Sequence, residues 1–332
     1  MLVSVAVVAT TALNAPPSGF RMVIQEQSSP AIMDELVITA GSSTAAGGRP
    51  ENEDAVLVME LPPSGDGVSR LDAGYLVAVA DGMGGHQRGE VASRLAIETI
   101  ARVVQEDPGA DTALLLKQAF RRANEVIHQD SQGVDAAATM GTTLVAAVIR
   151  GKYLAIANVG DSRAYLSRAN QLNQITRDHS LVGEQMSQGT LSADEAKKSP
   201  NRNILMHALG HRPKLDSKLP DIFELVLLAE DRLLLCSDGF YDVVSEEDFV
   251  TFLATRSPEE AAAALVGVAL ERGTTDNVSA VVVHVEAAKT VAARDRELVT
   301  VDERRSSQVV ILVVLVGVLF FVAIVVAALM LL

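Results

Sequence analysis

Five short stretches set aspartate beside Gly, Asn or Ser at one end of a Val/Leu-rich run. They are Arg49-Pro-Glu-Asn-Glu-Asp54, Asp81-Gly-Met-Gly-Gly-His86, Gly160-Asp-Ser-Arg163, Ser237-Asp-Gly-Phe-Tyr-Asp242 and Asp276-Asn-Val-Ser279. A carboxylate at a strand end is held by the sheet yet faces water. Several such ends side by side form a cluster whose mutual repulsion a hard cation relieves, and an all-oxygen donor set selects Mg²⁺, Mn²⁺ or Ca²⁺. Asp-Gly is also ordinary turn chemistry, so any one stretch alone reads as a turn. It is the recurrence that points to a metal centre.

The set resembles the metal-dependent protein phosphatases of the protein phosphatase 2C family, in its bacterial form. Its motifs run in order through residues 36–285: the Glu-Asp stretch, Asp-Gly-Met-Gly-Gly-His, Met140-Gly-Thr-Thr, Gly-Asp-Ser-Arg, Asp178-His-Ser, Leu209-Gly, Ser-Asp-Gly and Asp-Asn-Val-Ser. Each is weak alone; their order makes the set specific. The resemblance implies two Mg²⁺ or Mn²⁺ ions about 3.5–4 Å apart sharing a water that attacks phosphorus in line. It implies that Asp81 bridges both ions and that Asp54, with Glu53 beside it, reaches one. The Gly82 carbonyl is a further ligand, and Asp238 and Asp276 complete the second ion. Asp161 and Asp242 match positions that hold a weaker third ion with Asp238. Arg49 is the implied phosphate clamp, since its planar fork can bond two phosphate oxygens at once. His86 is the implied general acid for the leaving seryl or threonyl oxygen, although the animal and plant branch carries its His directly after Asp-Gly, where Met83 stands here. The Asp-x-Gly common before the Arg motif is replaced by Ala45-Ala46-Gly47, and His207 stands where many bacterial members carry Arg.

The elements that must position these residues are legible from periodicity. Strands are expected at Leu36–Ala40, Asp54–Glu60, Tyr75–Ala80, Thr142–Ile149, Tyr153–Asn158, Ala164–Ser167, Phe223–Leu228, Arg232–Cys236 and Val278–Val285. Helices are expected at Arg88–Gln105, Asp111–Asp130, Ser245–Ala254 and Pro258–Arg272, and Ser180–Ser199 reads as a polar, helix-like lid. Strands and helices occur in adjacent groups, which argues for α+β rather than a doubly wound parallel sheet. The family resemblance sharpens this to two antiparallel β-sheets packed as a central sandwich flanked by pairs of antiparallel helices.

Composition narrows the function classes. The 332-residue chain carries a formal net charge of −14, which disfavours nucleic acid as a partner. Aromatics are 4% with no Trp, so Ala, Val, Leu and Ile must build the core. The one cysteine, Cys236, excludes an internal disulfide framework and reads as a buried strand residue. Six positions after it stands Asp242 rather than Arg, so cysteine-based phosphatase chemistry is out.

Residues 1–33 read as a leader or disordered segment. Met1–Leu13 is apolar but has no Lys or Arg before it, as a secretory signal requires, so Met22 or Met33 is an alternative start. The phosphatase domain is expected at 34–286 and a charged juxtamembrane tether at 287–308. Residues 309–332 form 24 consecutive residues without a charged or polar side chain, long enough to cross a bilayer as one C-terminal transmembrane helix. Arg304 and Arg305 on its near side place the catalytic domain in the cytoplasm. The expected substrates are phosphoserine and phosphothreonine proteins, with membrane Ser/Thr kinases as partners within the tether's reach. Two other readings use the same residues: a membrane-tethered pseudophosphatase scaffold, and a phosphatase of this fold for a small phosphomonoester.

Overall fold

The computed structural model describes residues 36–62, 74–84, 88–107, 110–132 and 140–288. The leader, most of the tether, the apolar run 309–332 and His86 lie outside the described residues. In chain order the elements are β1 (Leu36–Ala45), β2 (Asp54–Leu61), β3 (Gly74–Met83), α1 (Arg88–Glu106), α2 (Thr112–Asp130), β4 (Gly141–Thr142), β5 (Leu144–Arg150), β6 (Tyr153–Val159), β7 (Arg163–Arg168) and β8 (Gln171–Gln174). They continue with α3 (Leu181–Ser187), α4 (Ala193–Lys198), β9 (Asp221–Val226), β10 (Arg232–Cys236), α5 (Asp238–Tyr241), α6 (Glu246–Thr255), α7 (Pro258–Glu271) and β11 (Val278–Ala287).

The strands form two antiparallel sheets. One runs β1-β11-β10-β7-β8; the other runs β2-β3-β5-β6-β9, with the two-residue β4 added beside β3. Successive side chains of a strand point to opposite faces, and here both faces are covered. Val77 and Val79 of β3 meet Val145, Ile156, Leu233, Leu235, Val281 and Val283 between the sheets. Leu76, Ala78 and Ala80 of the same strand pack outward against Ile100 of α1 and Leu116 and Phe120 of α2. On the far side of the other sheet, Leu234, Ala280 and Val282 pack against Phe240, Phe249 and Leu265 from α5, α6 and α7. This helix–sheet–sheet–helix arrangement explains why the inner strands read as unbroken apolar runs.

Capping sets the helix starts where Ser and Asp stand. Asp111 caps α2 by accepting from the Leu114 amide, and Ser245 and Ser257 close reciprocal capping boxes with Asp248 and Glu260. The expected lid divides into α3 and α4, each with a Ser cap. β1 runs five residues beyond its expected end because its whole length pairs with β11, Leu36 opposite Ala287 and Ala45 opposite Val278. β9 starts two residues earlier than expected because Asp221 pairs with Asn158. Cys236 is fully buried at the end of β10. Among the described residues no helix is long and apolar enough to cross a membrane.

Candidate active site

The acidic stretches meet at one end of the sandwich. Asp54 opens β2 and lies directly opposite Asp81, near the end of β3. Asp161 follows β6, Asp238 opens α5 directly after β10, and Asp276 precedes β11. Both sheets therefore deliver aspartates to the same place. Burial pushes the carboxyl of Asp81 well above the ordinary range, and the charges of Asp54, Asp238, Asp161 and Asp276 add to the effect. Asp54, Asp161 and Asp238 are raised for the same first reason, each with at least one other member of the group contributing. Asp242, at the end of α5, adds its charge to Asp238.

A web of small polar groups fixes this cluster. The Ser237 hydroxyl donates to Asp54 Oδ2 at 2.8 Å and accepts from the Ser279 amide. The Asp81 amide donates to Thr143 Oγ1, which meets Ser162 Oγ at 2.7 Å, and Thr142 Oγ1 donates to the Asp81 carbonyl. Asn277 ties three segments together: its Oδ1 accepts from the Glu53 amide, and its Nδ2 donates to the carbonyls of Ala46 and Glu51. Gly82 donates to the Glu53 carbonyl. A Cβ at Gly82 would stand 2.1 Å from the Gly89 carbonyl oxygen, so only glycine allows β3 to pass this close to α1. Glu53 stands slightly apart, its carboxylate accepting from the Gly89 amide in the first turn of α1.

This donor set fits divalent cations. It is made of oxygens, it is rich in negative charge, and Asp54 Oδ1 and Asp238 Oδ1 are buried without hydrogen-bond partners among the described residues. A carboxylate oxygen left so is costly unless a cation takes it. No three of these side chains already converge on one point at ligand distance among the described residues. The fit therefore rests on donor chemistry and shared repulsion, not on a finished coordination shell.

Arg49 lies at the rim. Its amide donates to the Ala46 carbonyl, and its Nη2 reaches Asp276 Oδ2 at 2.7 Å while the side chain stays half exposed. Asp276 holds the guanidinium pKa above its ordinary value. Gly47, at φ +58°, lets this loop run against the 276 turn, where a Cβ would come within 1.9 Å of the Asp276 carbonyl oxygen.

A cleft of about 760 Å³ opens beside the acids, lined by Asp161, Asp238, Asp242 and Asp276, by Val182 and Met186 of the lid segment, and by Arg202 just after it. Arg163, to which the sequence assigned no role, braces it. Its guanidinium grips both oxygens of Asp178 and lies 3.5 Å from the centre of the Tyr241 ring. Arg202, three residues beyond the lid segment, approaches Asp242 at 3.7 Å. His179 is largely buried and bonded by the Gly160 amide, with Asp221 3.4 Å away. His211 abuts Gly141, and the buried His284 lies on β11. The structure thus brings Asp54, Asp81, Gly82, Asp161, Asp238, Asp242 and Asp276 together, with Arg49 and Glu53 at the margin. Thr143, Ser162, Ser237 and Asn277 were missed as positioning residues; the only signal is that Ser162, Ser237 and Asn277 each adjoin an acid within a motif, while Thr143 ends the Met140-Gly-Thr-Thr motif.

Comparison with known proteins agrees with this fold. The family model described as protein phosphatase 2C matches residues 45–270. The serine/threonine protein phosphatase PstP of Mycobacterium tuberculosis is 39% identical over 211 residues, 63% of this chain and 40% of that protein. The serine/threonine phosphatase Stp of Listeria monocytogenes is 38% identical over 225 residues, 66% of this chain and 87% of that protein. The crystal structure of the PstP catalytic domain in complex with two manganese ions is similar with a TM-score of 0.63 at 36% identity, over 76% of this chain and 99% of that one. The chain thus spans 40% of the length of its mycobacterial relative. With the family model matching well over half of its residues, the chain belongs to the protein phosphatase 2C family.

Proposed function

We propose that this chain hydrolyses phosphoserine and phosphothreonine in proteins, using two Mg²⁺ or Mn²⁺ ions held by its strand-end acids. The observation that carries this reading is the cluster of Asp54, Asp81, Asp238 and Asp276, delivered by both sheets, with two buried carboxylate oxygens lacking partners among the described residues. The two manganese ions of the PstP catalytic domain support it. Asp54, Asp81, the Gly82 carbonyl, Asp238 and Asp276 would hold the two ions, with Glu53 beside Asp54, and Asp161 and Asp242 would join Asp238 in holding a weaker third. When bound, the cations supply a water acidic enough to attack phosphorus near neutral pH and positive charge that offsets the phosphate's.

The chain's own groups do the rest. Arg49 donates to two phosphate oxygens and orients the ester for in-line attack. His86 gives its proton to the departing seryl or threonyl oxygen. The cleft under the lid accommodates an extended phosphopeptide segment. Residues 309–332 anchor the protein as a single membrane-spanning helix, with the domain on the cytoplasmic side. Membrane Ser/Thr kinases and their phosphorylated neighbours are its partners, through high local concentration rather than docking affinity.

The test is dephosphorylation of a phosphothreonine peptide by the full chain with Mn²⁺, with Mg²⁺ and with excess chelator. Activity that vanishes in chelator and returns with either ion is expected. Full activity in verified metal-free protein refutes the mechanism. Stoichiometric metal binding without turnover identifies a pseudophosphatase.

A further inference from the structure

The end of the sandwich opposite the acids carries an exposed apolar patch beside the point where the described chain leaves the domain. Tyr153 of β6 and Val226 of β9 are directly paired, and with Leu228 they stand 62%, 48% and 51% exposed. The exposed Lys152 lies next to them, its Nζ 5.8 Å from the centre of the Tyr153 ring. Hydrogen bonds tie this patch to the end of β11. The Leu227 amide donates to the Lys152 carbonyl, and the turn after Leu228 donates through the Glu230 amide to the Val285 carbonyl at 2.8 Å. The Val285 amide returns the bond to the Asp231 carbonyl. β11 begins at the acidic site and spans ten residues, so the two poles lie roughly 30 Å apart.

We propose that this pole is a membrane-resting face, on which Tyr153, Val226 and Leu228 enter the bilayer interface and Lys152 meets lipid phosphates. The inference rests on the reading of 309–332 as a membrane anchor. The occupant follows from the chain itself. Beyond Ala287 about 20 residues separate this pole from the apolar run, and a random coil of that length would reach roughly 25 Å. The surface nearest the exit is therefore the one held against the lipid. Its composition suits that place, since Tyr with a neighbouring Lys is the pairing favoured at the headgroup level. Arg168 and Arg232 nearby are paired with Asp231 and Glu230, so attraction to anionic lipid is modest and the contact depends on the tether. Seated this way, the acidic cleft faces away from the bilayer by roughly the length of β11. It then serves phosphorylated segments standing well above the headgroups.

The test uses the full chain in vesicles of zwitterionic lipid with a minor anionic fraction. Cys236 is fully buried, so a cysteine introduced as Tyr153→Cys or Leu228→Cys takes an environment-sensitive label selectively. Ile204→Cys and Leu270→Cys, exposed elsewhere, are the controls. Brominated lipid should quench the labels at 153 and 228 by about half or more, as expected for groups at the acyl boundary, and leave those at 204 and 270 bright. Vesicle flotation with no quenching at 153 and 228, or with equal quenching at all four sites, overturns the resting face while leaving the anchor standing. Failure to float refutes the anchor and the proposal with it. A second pair, Tyr153→Asp and Leu228→Asp, should change turnover of a vesicle-anchored phosphopeptide and leave turnover of the free peptide unchanged.

Discussion

Replacing Arg49 by alanine separates two roles that the structure allows for it. As a structural residue, Arg49 contributes one ion pair to Asp276 at 2.7 Å, with the two side chains 54% and 32% exposed. A pair so open to solvent is worth about 0–1 kcal/mol, so Arg49→Ala should barely move the denaturant midpoint. As a phosphate clamp it contributes charge-assisted hydrogen bonds to a dianion, worth about 1.5–3 kcal/mol, or roughly a 10- to 150-fold loss in substrate affinity. The loss should fall mainly on KM, and inhibition by free phosphate should weaken in proportion, because both report the same contact. Arg49→Lys should recover little of it, since an ammonium cannot supply the planar fork. The assay is steady-state turnover of a phosphothreonine peptide with saturating Mn²⁺, with a phosphate inhibition constant and a urea melt for each variant. Unchanged KM and unchanged phosphate inhibition would falsify the clamp. A loss of stability well beyond 1 kcal/mol, with activity falling in step, would show that Arg49 serves only to hold the 276 turn.

Asp81→Asn and Asp238→Asn each remove charge from the acid cluster and should lower turnover at least about 100-fold; calorimetric titration with Mn²⁺ should show weakened binding, and wild-type affinity in both would place the ions elsewhere. Gly82→Ala drives a Cβ to within 2.1 Å of the Gly89 carbonyl oxygen, so β3 and α1 must separate, and both Mn²⁺ affinity and the thermal midpoint should fall. His284 is buried on β11, its Nε2 lacks a partner among the described residues, and burial followed by the charge of Arg232 lowers its pKa to about 4. The unfolded chain therefore takes up this proton first: no effect exists above pH 6.5, and between 6.5 and 4 the wild type loses about 1–2 kcal/mol after allowance for solvent screening. His284→Leu should remove that slope in chelator-treated protein, and identical pH profiles for the two proteins would contradict it. Deleting 306–332 should move the protein to the soluble fraction with kcat on a free peptide nearly unchanged, and a full chain that already fractionates as soluble would refute the anchor.

The acid cluster was legible because its members are chemically conspicuous. Aspartate beside glycine at the end of an apolar strand recurs in this sequence, and strand ends are where a sandwich gathers its loops. The long helices α1 and α2 were equally legible from apolar spacing. β8 was not, because Gln-Leu-Asn-Gln has no alternating pattern and its pairing with β7 is set by the turn at Ala169-Asn170, both at positive φ. α5 was not, because its four residues make one turn, far below the length at which periodicity speaks. Nor was the web of Thr143, Ser162, Ser237 and Asn277, because a hydroxyl or amide reveals its role only when the fold places a partner 183 or 224 residues away beside it, as with Ser237–Asp54 and Asn277–Glu53.

The pairing of β1 with β11 has a consequence for biosynthesis. The first strand of the domain gains its partner only when the last has been made, about 240 residues later, on the order of 10–50 s at ribosomal speed. β10 can pair with β7 as soon as it is made, but its other edge also waits for β11, which lies between it and β1. The five-stranded sheet therefore closes after synthesis of the domain is essentially complete, and the contacts between its ends make folding slow. During that interval β1 is an unpaired strand open to other nascent chains. Its middle, Gly41-Ser-Ser-Thr44, is small and polar, which makes it a poor template for pairing between molecules.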